Sequence, residues 1–452
     1  YRCFERSTGV TTDTRKCSEG MMFVALKGEN FDGNSYAKSA LEQGCAYAVI
    51  DNADYADPKD NRIILVEDSL HALQQLARHH RRQLGTPIVG VTGTNGKTTT
   101  KELVATVLKQ RYRVLYTQGN LNNHIGVPLT LLGLTPEHEI AVVEMGANHP
   151  GDIKELVDIA LPNFGLITNV GKAHLLGFGS FEGVKKTKGE LYDYLRRTSD
   201  KVFLNVDNPH LCAMASERHL QSDPERPYSL VIPYGLEYFG ASVLPSDSEY
   251  PYLRIQFPQD ITLTTRLVGS YNADNVMAAI AVGTHFGVSF EDACAAIAAY
   301  IPSNNRSQMT STERNTLIVD AYNANPTSMD AALTNFANVE APVKIALLGD
   351  MLELGEDSLA EHVAVIEKTL LCPLDLICLV GAEFESAIKF MTSQVEGDLQ
   401  ATADYRYLSE KIHWFADSQS LSSWLDEQKI TGATVLIKGS RGTRMEKTIQ
   451  SL

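Results

Sequence analysis

Apolar positions along the chain come in short runs, separated by stretches in which they recur three and four residues apart, as in an α/β protein. In the first part, runs at 21–26 (MMFVAL), 46–50 (AYAVI) and 62–68 (RIILVED) alternate with helical patterns at 36–44 and 69–85. The latter carries Leu70, Leu73, Leu76 and Ala77 and stops at Gly85 ahead of Pro87, a helix with its stop signal in place. A second series begins with the run at 86–93 (TPIVGVTG), passes into a helical stretch at 97–111, and continues through runs at 113–117, 140–146, 164–170 and 201–206. Alternating units of this kind predict a mostly parallel, doubly wound sheet. From about 221 to 268 the pattern turns proline-containing and alternating (YLRIQF, ITLTTRLV), which predicts antiparallel strands appended to that sheet. A small-residue helix at 273–287 follows, and a third α/β series has strands at 315–322, 343–350, 375–381 and 433–440. The expected architecture is therefore three α/β units, at 1–85, 86–309 and 310–452.

Composition narrows the class of protein. A chain of 452 residues exceeds one ordinary core, and 44% hydrophobic with 21% charged residues is a folded, globular balance. Forty Lys and Arg against 55 Asp and Glu give a net charge of −15. That argues against broad binding to nucleic acid or anionic membranes, so an anionic ligand needs a local site. The seven cysteines are scattered without a Cys-x-x-Cys pair, which suggests neither a disulfide framework nor a structural zinc site and fits a reducing, cytoplasmic compartment. With no apolar run of about 18 residues, no membrane span is expected, and the first residues lack the charged-then-apolar pattern of a secretion signal.

The stretch VTGTNGKTTT (91–100) lies between an apolar strand and a helix, where a phosphate loop belongs. Gly93 and Gly96 let backbone N–H groups, including those of Thr94, Asn95 and Thr99, close around anionic oxygens. Lys97 reaches terminal phosphates and the Thr98 hydroxyl suits Mg²⁺. The strict motif requires Gly at the position of Val91. Glu144 follows four apolar residues at the end of the run 140–144, and two readings stand equal on spacing alone: a hard-cation ligand beside the loop, or a strand-end acid facing water. His174 leaves another strand end amid Gly177 and Gly179, and is either a site residue or a surface loop histidine. Lys185, Lys186 and Lys188 read by default as a solvated helix face. Without further context, DAYNANP (320–326) is a strand-to-helix turn and KGSR (438–441) an ordinary loop.

TGTNGKTT resembles the phosphate loop of the Mur ligase family and of folylpolyglutamate synthases, in which the position of Val91 need not be Gly. Longer strings are similar to the family's D-alanyl-D-alanine-adding branch. These are TTDTRK (11–16), FVALKGENFDG (23–33), GNLNNHIGVPLTLL (119–132), VVEMGANHPGDI (142–153), DAYNANPTSMDAAL (320–333), LLGDMLELG (347–355) and KGSRGTRME (438–446). The resemblance implies a cytoplasmic, ATP-dependent, ADP-forming ligase of peptidoglycan precursor synthesis; a monomer is the separate expectation for its assembly, which the sequence itself does not address. Such a ligase would activate the terminal carboxylate of a UDP-N-acetylmuramoyl-tripeptide as an acyl phosphate and join it to D-alanyl-D-alanine. YNANP argues against the relatives that add one amino acid, and Gly-Lys-Thr-Thr against folylpolyglutamate synthases. Intact Lys97, Thr98, Glu144, His174 and Lys188 argue against a non-catalytic regulatory relative.

Carried over by position, the resemblance makes Lys97 and Thr98 ligands of ATP phosphates and Mg²⁺, makes Glu144 and His174 metal ligands, and makes Lys188 a carbamylated, anionic one. Asn272 and Asn275 match the adenine-contacting segment, with Tyr271 where an Arg or His is usual. Arg306, preceded here by Asn304-Asn305, matches an arginine near ribose and phosphates. Asp320, Tyr322, Asn323 and Asn325 are implied to face the nucleotide and the incoming dipeptide, and Lys438, Ser440 and Arg441 the acyl phosphate or substrate carboxylates. Asp13, Thr14 and Arg15, with Asn30, Phe31 and Asp32, match the UDP segment, and Asn122, Asn123 and His124 a loop touching the muramoyl-peptide.

Overall fold

The computed structural model describes residues 1–220, 229–246, 251–302, 306, 308–395 and 411–452; Asn304 and Asn305 lie outside them. Near the N-terminus four short parallel strands, Val10–Thr11, Met22–Val24, Tyr47–Ile50 and Ile63–Leu65, form a sheet in that order. The helix Ser69–Leu84 follows. Asp68 caps its first turn by accepting from the His71 N–H, and Gly85 ends it at φ 66°, a conformation that glycine adopts at no steric cost. This helix packs Leu73 and Ala77 into one core with Leu131, Ile153 and Leu156 of the central unit. Buried Arg81 ties the two units further, donating to Ala160 O, Leu161 O and Asn163 Oδ1.

The central sheet has six parallel strands in the order Val231–Tyr234, Lys201–Asn205, Phe164–Ile167, Ile88–Thr92, Ile140–Glu144 and Val114–Tyr116. Chain order reverses around Ile88–Thr92, so a crevice opens beyond its carboxyl end, the usual ligand position in such sheets. The expected antiparallel strands, Ser242–Leu244, Arg254–Phe257 and Ile261–Thr264, are present as a separate three-stranded sheet. Val231–Tyr234, from the same stretch of sequence, instead joins the parallel sheet. Residues 221–228 and 247–250 of that stretch are outside the described ones.

In the C-terminal part, Gln308–Ser311 runs antiparallel on the edge of five parallel strands. These follow in the order Thr316–Asp320, Thr434–Lys438, Lys344–Gly349, Leu376–Val380 and Ile412–Phe415. Its two apolar clusters are drawn almost wholly from residues after 308. The first two units thus share a core, while the third meets them largely through polar strand-end loops. No helix among the described residues is long and apolar enough to cross a membrane.

Candidate active site

Val91 lies inside the strand Ile88–Thr92 and is fully buried in the core, so the phosphate loop begins only at Gly93. A Cβ on Gly93, whose φ is 145°, would stand 2.0 Å from Thr168 Oγ1 and 3.0 Å from Thr168 N. Two of the loop's N–H groups are already used: Thr94 N–H donates to Asn169 O and Asn95 N–H to Asn169 Oδ1. Thr168 Oγ1 and Asn169 Nδ2 both donate to Asn95 O. Asn169 and Thr168 thus mould the loop; no local pattern marked them, because their role arises only when two parallel strands end side by side. The first N–H groups of the helix Lys97–Leu108 have no partner within the helix, and Gly96 precedes them at φ 77°. Those donors and the helix dipole are what an anionic oxygen requires. Gly93→Ala is expected to cost about 1–3 kcal/mol through backbone strain and overlap with Thr168, read as a lower urea midpoint; an unchanged midpoint would count against this packing.

Lys97 folds back over the loop, donating to Gly93 O at 2.7 Å and Thr94 O at 2.8 Å. Burial, reinforced by Arg306 and opposed by Glu144, pushes it down to about 8. Glu144 does not face water: it is 1% exposed. Its Oε1 accepts from Thr98 Oγ1 at 3.1 Å and Asn122 Nδ2 at 2.8 Å, while buried Oε2 has no hydrogen-bond partner. Lys188 departs from the solvated-face reading. Lys186 is exposed and Lys185 pairs with Glu182, but Lys188 is buried, donates to Ala147 O at 3.3 Å and lies over the Phe178 ring. Burial, reinforced by Lys97, pushes its ammonium well below the usual lysine range. His174 is lowered chiefly by burial, with Lys97 and Lys188 adding to the effect and Glu353 opposing it. Among the described residues no group of three His, Cys, Asp or Glu side chains converges as a metal cage.

Strand-end loops of the C-terminal sheet close over this crevice. Asn325 caps the helix Pro326–Ala337 and exchanges side-chain hydrogen bonds with Asn95. Lys172 pairs with Glu361 at 2.5 Å, and its N–H donates to Thr327 Oγ1. Lys438, 1% exposed, pairs with Asp320 at 2.5 Å. Arg306 stacks 3.7 Å above the centre of the Tyr322 ring with its buried Nε unpartnered, and Arg441 approaches the same ring at 5.8 Å.

Several expected ligand residues also have hydrogen-bonding roles inside the protein. Buried Asn272 and Asn275 bond each other, and Asn275 accepts from Thr100 Oγ1 behind Gly96. Ser440 accepts from the Leu352 N–H. Asn123 accepts from Ile125 N–H and Gly126 N–H at a helix start, while Asn323 Oδ1 accepts from the Ala324 N–H. Asn122 leans on Glu144, and His124 O accepts from Gln74. In the N-terminal unit, Asp13 and Arg15 form an exposed two-point pair that holds Asp13 down to about 2, beside Thr14. Asp32 is engaged with Asn34, whereas Asn30 and Phe31 are exposed.

Three family models match in succession: "Mur ligase family, catalytic domain" over residues 6–81, "Mur ligase middle domain" over 91–283 and "Mur ligase, glutamate ligase domain" over 305–441. The UDP-N-acetylmuramoyl-tripeptide–D-alanyl-D-alanine ligase of Bacillus subtilis is 34% identical, over 98% of this chain and 93% of its own. Among solved structures, MurF from Acinetobacter baumannii superposes with a TM-score of 0.82 at 28% identity, covering 98% of this chain and 92% of its own. The MurF ligase of Thermotoga maritima, in complex with ADP, gives 0.81 at 26% identity over 100% and 98%. Similar to these enzymes over nearly the whole of each chain, the protein belongs to the Mur ligase family and is a nucleotide-binding ligase.

Proposed function

We propose that the chain joins D-alanyl-D-alanine to a UDP-N-acetylmuramoyl-tripeptide, using ATP and releasing ADP, by way of an acyl phosphate on the tripeptide. The observation that carries this reading is the meeting of two sets of strand ends: the phosphate loop at Gly93–Thr99 and the C-terminal loops bearing Asp320–Asn325 and Lys438–Arg441. A carboxylate resists attack by an amine, and phosphorylation turns one of its oxygens into a leaving group. The N–H groups at the helix start and Lys97 then hold the phosphates, with Arg306 poised by Tyr322 to take up charge on the transferring group.

Mg²⁺ suits the residues present, because Glu144 leaves a buried carboxylate oxygen unpartnered next to the Thr98 hydroxyl, a hard-oxygen pair. Thr98, Glu144, His174 and Lys188 are the residues proposed to hold it. A bound divalent cation supplies neutralisation of phosphoryl charge. Lys188, whose burial disfavours the ammonium, is suited to react as the free amine: its nitrogen adds to carbon dioxide and releases one proton to solvent, leaving an anionic carbamate. The three matched segments support a division at about 85 and 309 into substrate, nucleotide and closing units.

ADP release measured with each component omitted in turn tests the proposal. Turnover is expected only when ATP, the UDP-tripeptide and D-alanyl-D-alanine are all present. ATP binding without turnover in the full mixture would sink it in favour of a regulatory relative, and turnover with a single amino acid would favour the other Mur branch.

A further inference from the structure

His174 and Glu353 meet from two different units, each at a positive φ that residues other than glycine adopt uncommonly. His174, at φ 50°, starts the short helix Leu175–Phe178, and Glu353, at φ 67°, lies in the loop after the strand Lys344–Gly349. Residues held in this region persist only where their surroundings over-determine them. Three consecutive residues anchor the Glu353 side. Asp350 accepts from Glu383 N–H and Phe384 N–H, Met351 N–H donates to His362 Nε2, and Leu352 N–H donates to Ser440 Oγ. From that support the Glu353 carboxylate makes a short hydrogen bond with His174 Nδ1, and the Glu353 carbonyl accepts from the Leu176 N–H.

With the carboxylate as acceptor, this bond belongs to the tautomer protonated at Nδ1, which leaves the Nε2 lone pair free for a ligand bond. Carboxylate, histidine and metal in line is the arrangement by which proteins fix a ligand's tautomer and ring direction. We propose that Glu353 is a positioning residue. It presents His174 Nε2 toward a divalent cation at the Glu144 and Thr98 site, so that docking of the C-terminal unit completes that site. The inference rests on the reading of His174 as a metal ligand given above. Lys172 and Glu361 supply the control: they pair across the same interface, two residues from His174, without touching the ring.

The experiment uses the full chain with ADP and Mn²⁺, titrated by electron paramagnetic resonance, in four forms: wild type, His174→Ala, Glu353→Gln and Glu361→Gln. Glu353→Gln is expected to weaken Mn²⁺ binding by about 10–100-fold, the range for lost ligand orientation, with His174→Ala at least as weak and Glu361→Gln unchanged. In metal-free protein, nitrogen NMR of labelled histidine should show His174 protonated at Nδ1, and Glu353→Gln should shift it toward mixed tautomers. If His174→Ala binds Mn²⁺ as wild type does, the metal-ligand reading fails and this inference with it. If His174→Ala is weak but Glu353→Gln is not, or if Glu353→Gln and Glu361→Gln weaken binding equally, Glu353 serves only to dock the unit and the inference is overturned.

Discussion

Lys97→Met is expected to lower kcat/KM for ATP by roughly 10³-fold, about 4 kcal/mol, the upper range for removing one preorganised donor from a developing anion. Stability should move the other way. Burial depresses Lys97 to about 8 in the folded chain, so between that value and the ordinary lysine range the unfolded chain binds more protons, and stability rises with pH. Below about pH 8 the folded protein carries the full cost of a desolvated ammonium. Methionine removes that charge and forgoes the bonds to Gly93 O and Thr94 O and the attraction to Glu144; desolvation is the largest of these effects, so the melting temperature at neutral pH should hold or rise. For the wild type, kcat/KM should fall as pH climbs through about 8, because that ratio reports the free enzyme's ionisations. ADP-release kinetics beside thermal melts separate the two effects. A parallel loss of activity and stability would make Lys97 a structural prop of the loop.

What the sequence disclosed about the site depended on the range of the interaction. Gly93–Thr99 was legible because strand, loop and helix are contiguous, and the three-unit layout followed from apolar runs that each fill one sheet. Glu144 stood evenly between two readings until the neighbouring strands buried it beside Thr98. Lys188 looked like its neighbours Lys185 and Lys186; only the packing of its helix against Ala147 and Phe178 sets it apart. Contacts spanning large sequence separations left no local mark. Asn95 and Asn325 are 230 residues apart and His174 and Glu353 are 179 apart, and each pair forms only where the C-terminal unit packs on the central one. The resemblance supplied residue types at these strand ends, but not the bonds they make within the protein, such as the one Ser440 accepts from the Leu352 N–H.

The largest stability effect is expected at Lys438. Asp320 and Lys438 sit opposite each other at the carboxyl ends of adjacent parallel strands, with the lysine side chain 1% and the aspartate 17% exposed. Removing one partner strands a buried charge, which typically costs about 3–5 kcal/mol. Lys438→Met and Asp320→Asn should therefore each destabilise the C-terminal unit by about 3 kcal/mol, at the low end because Asp320 retains some water. The double variant buries no lone charge and should recover about 2–3 kcal/mol of the summed loss, the coupling expected of groups in direct contact. The chain's two tryptophans, Trp414 and Trp424, both lie in this unit, so their fluorescence during urea unfolding reports on it. Strictly additive losses would mean that the ion pair is not what holds the two strand ends together. If stability returns in the double variant while turnover does not, the pair is needed at the site for its charge as well as for the fold. That outcome is the one expected, because the pair sits at the strand ends that carry the loop of Asn325, which bonds Asn95 of the phosphate loop.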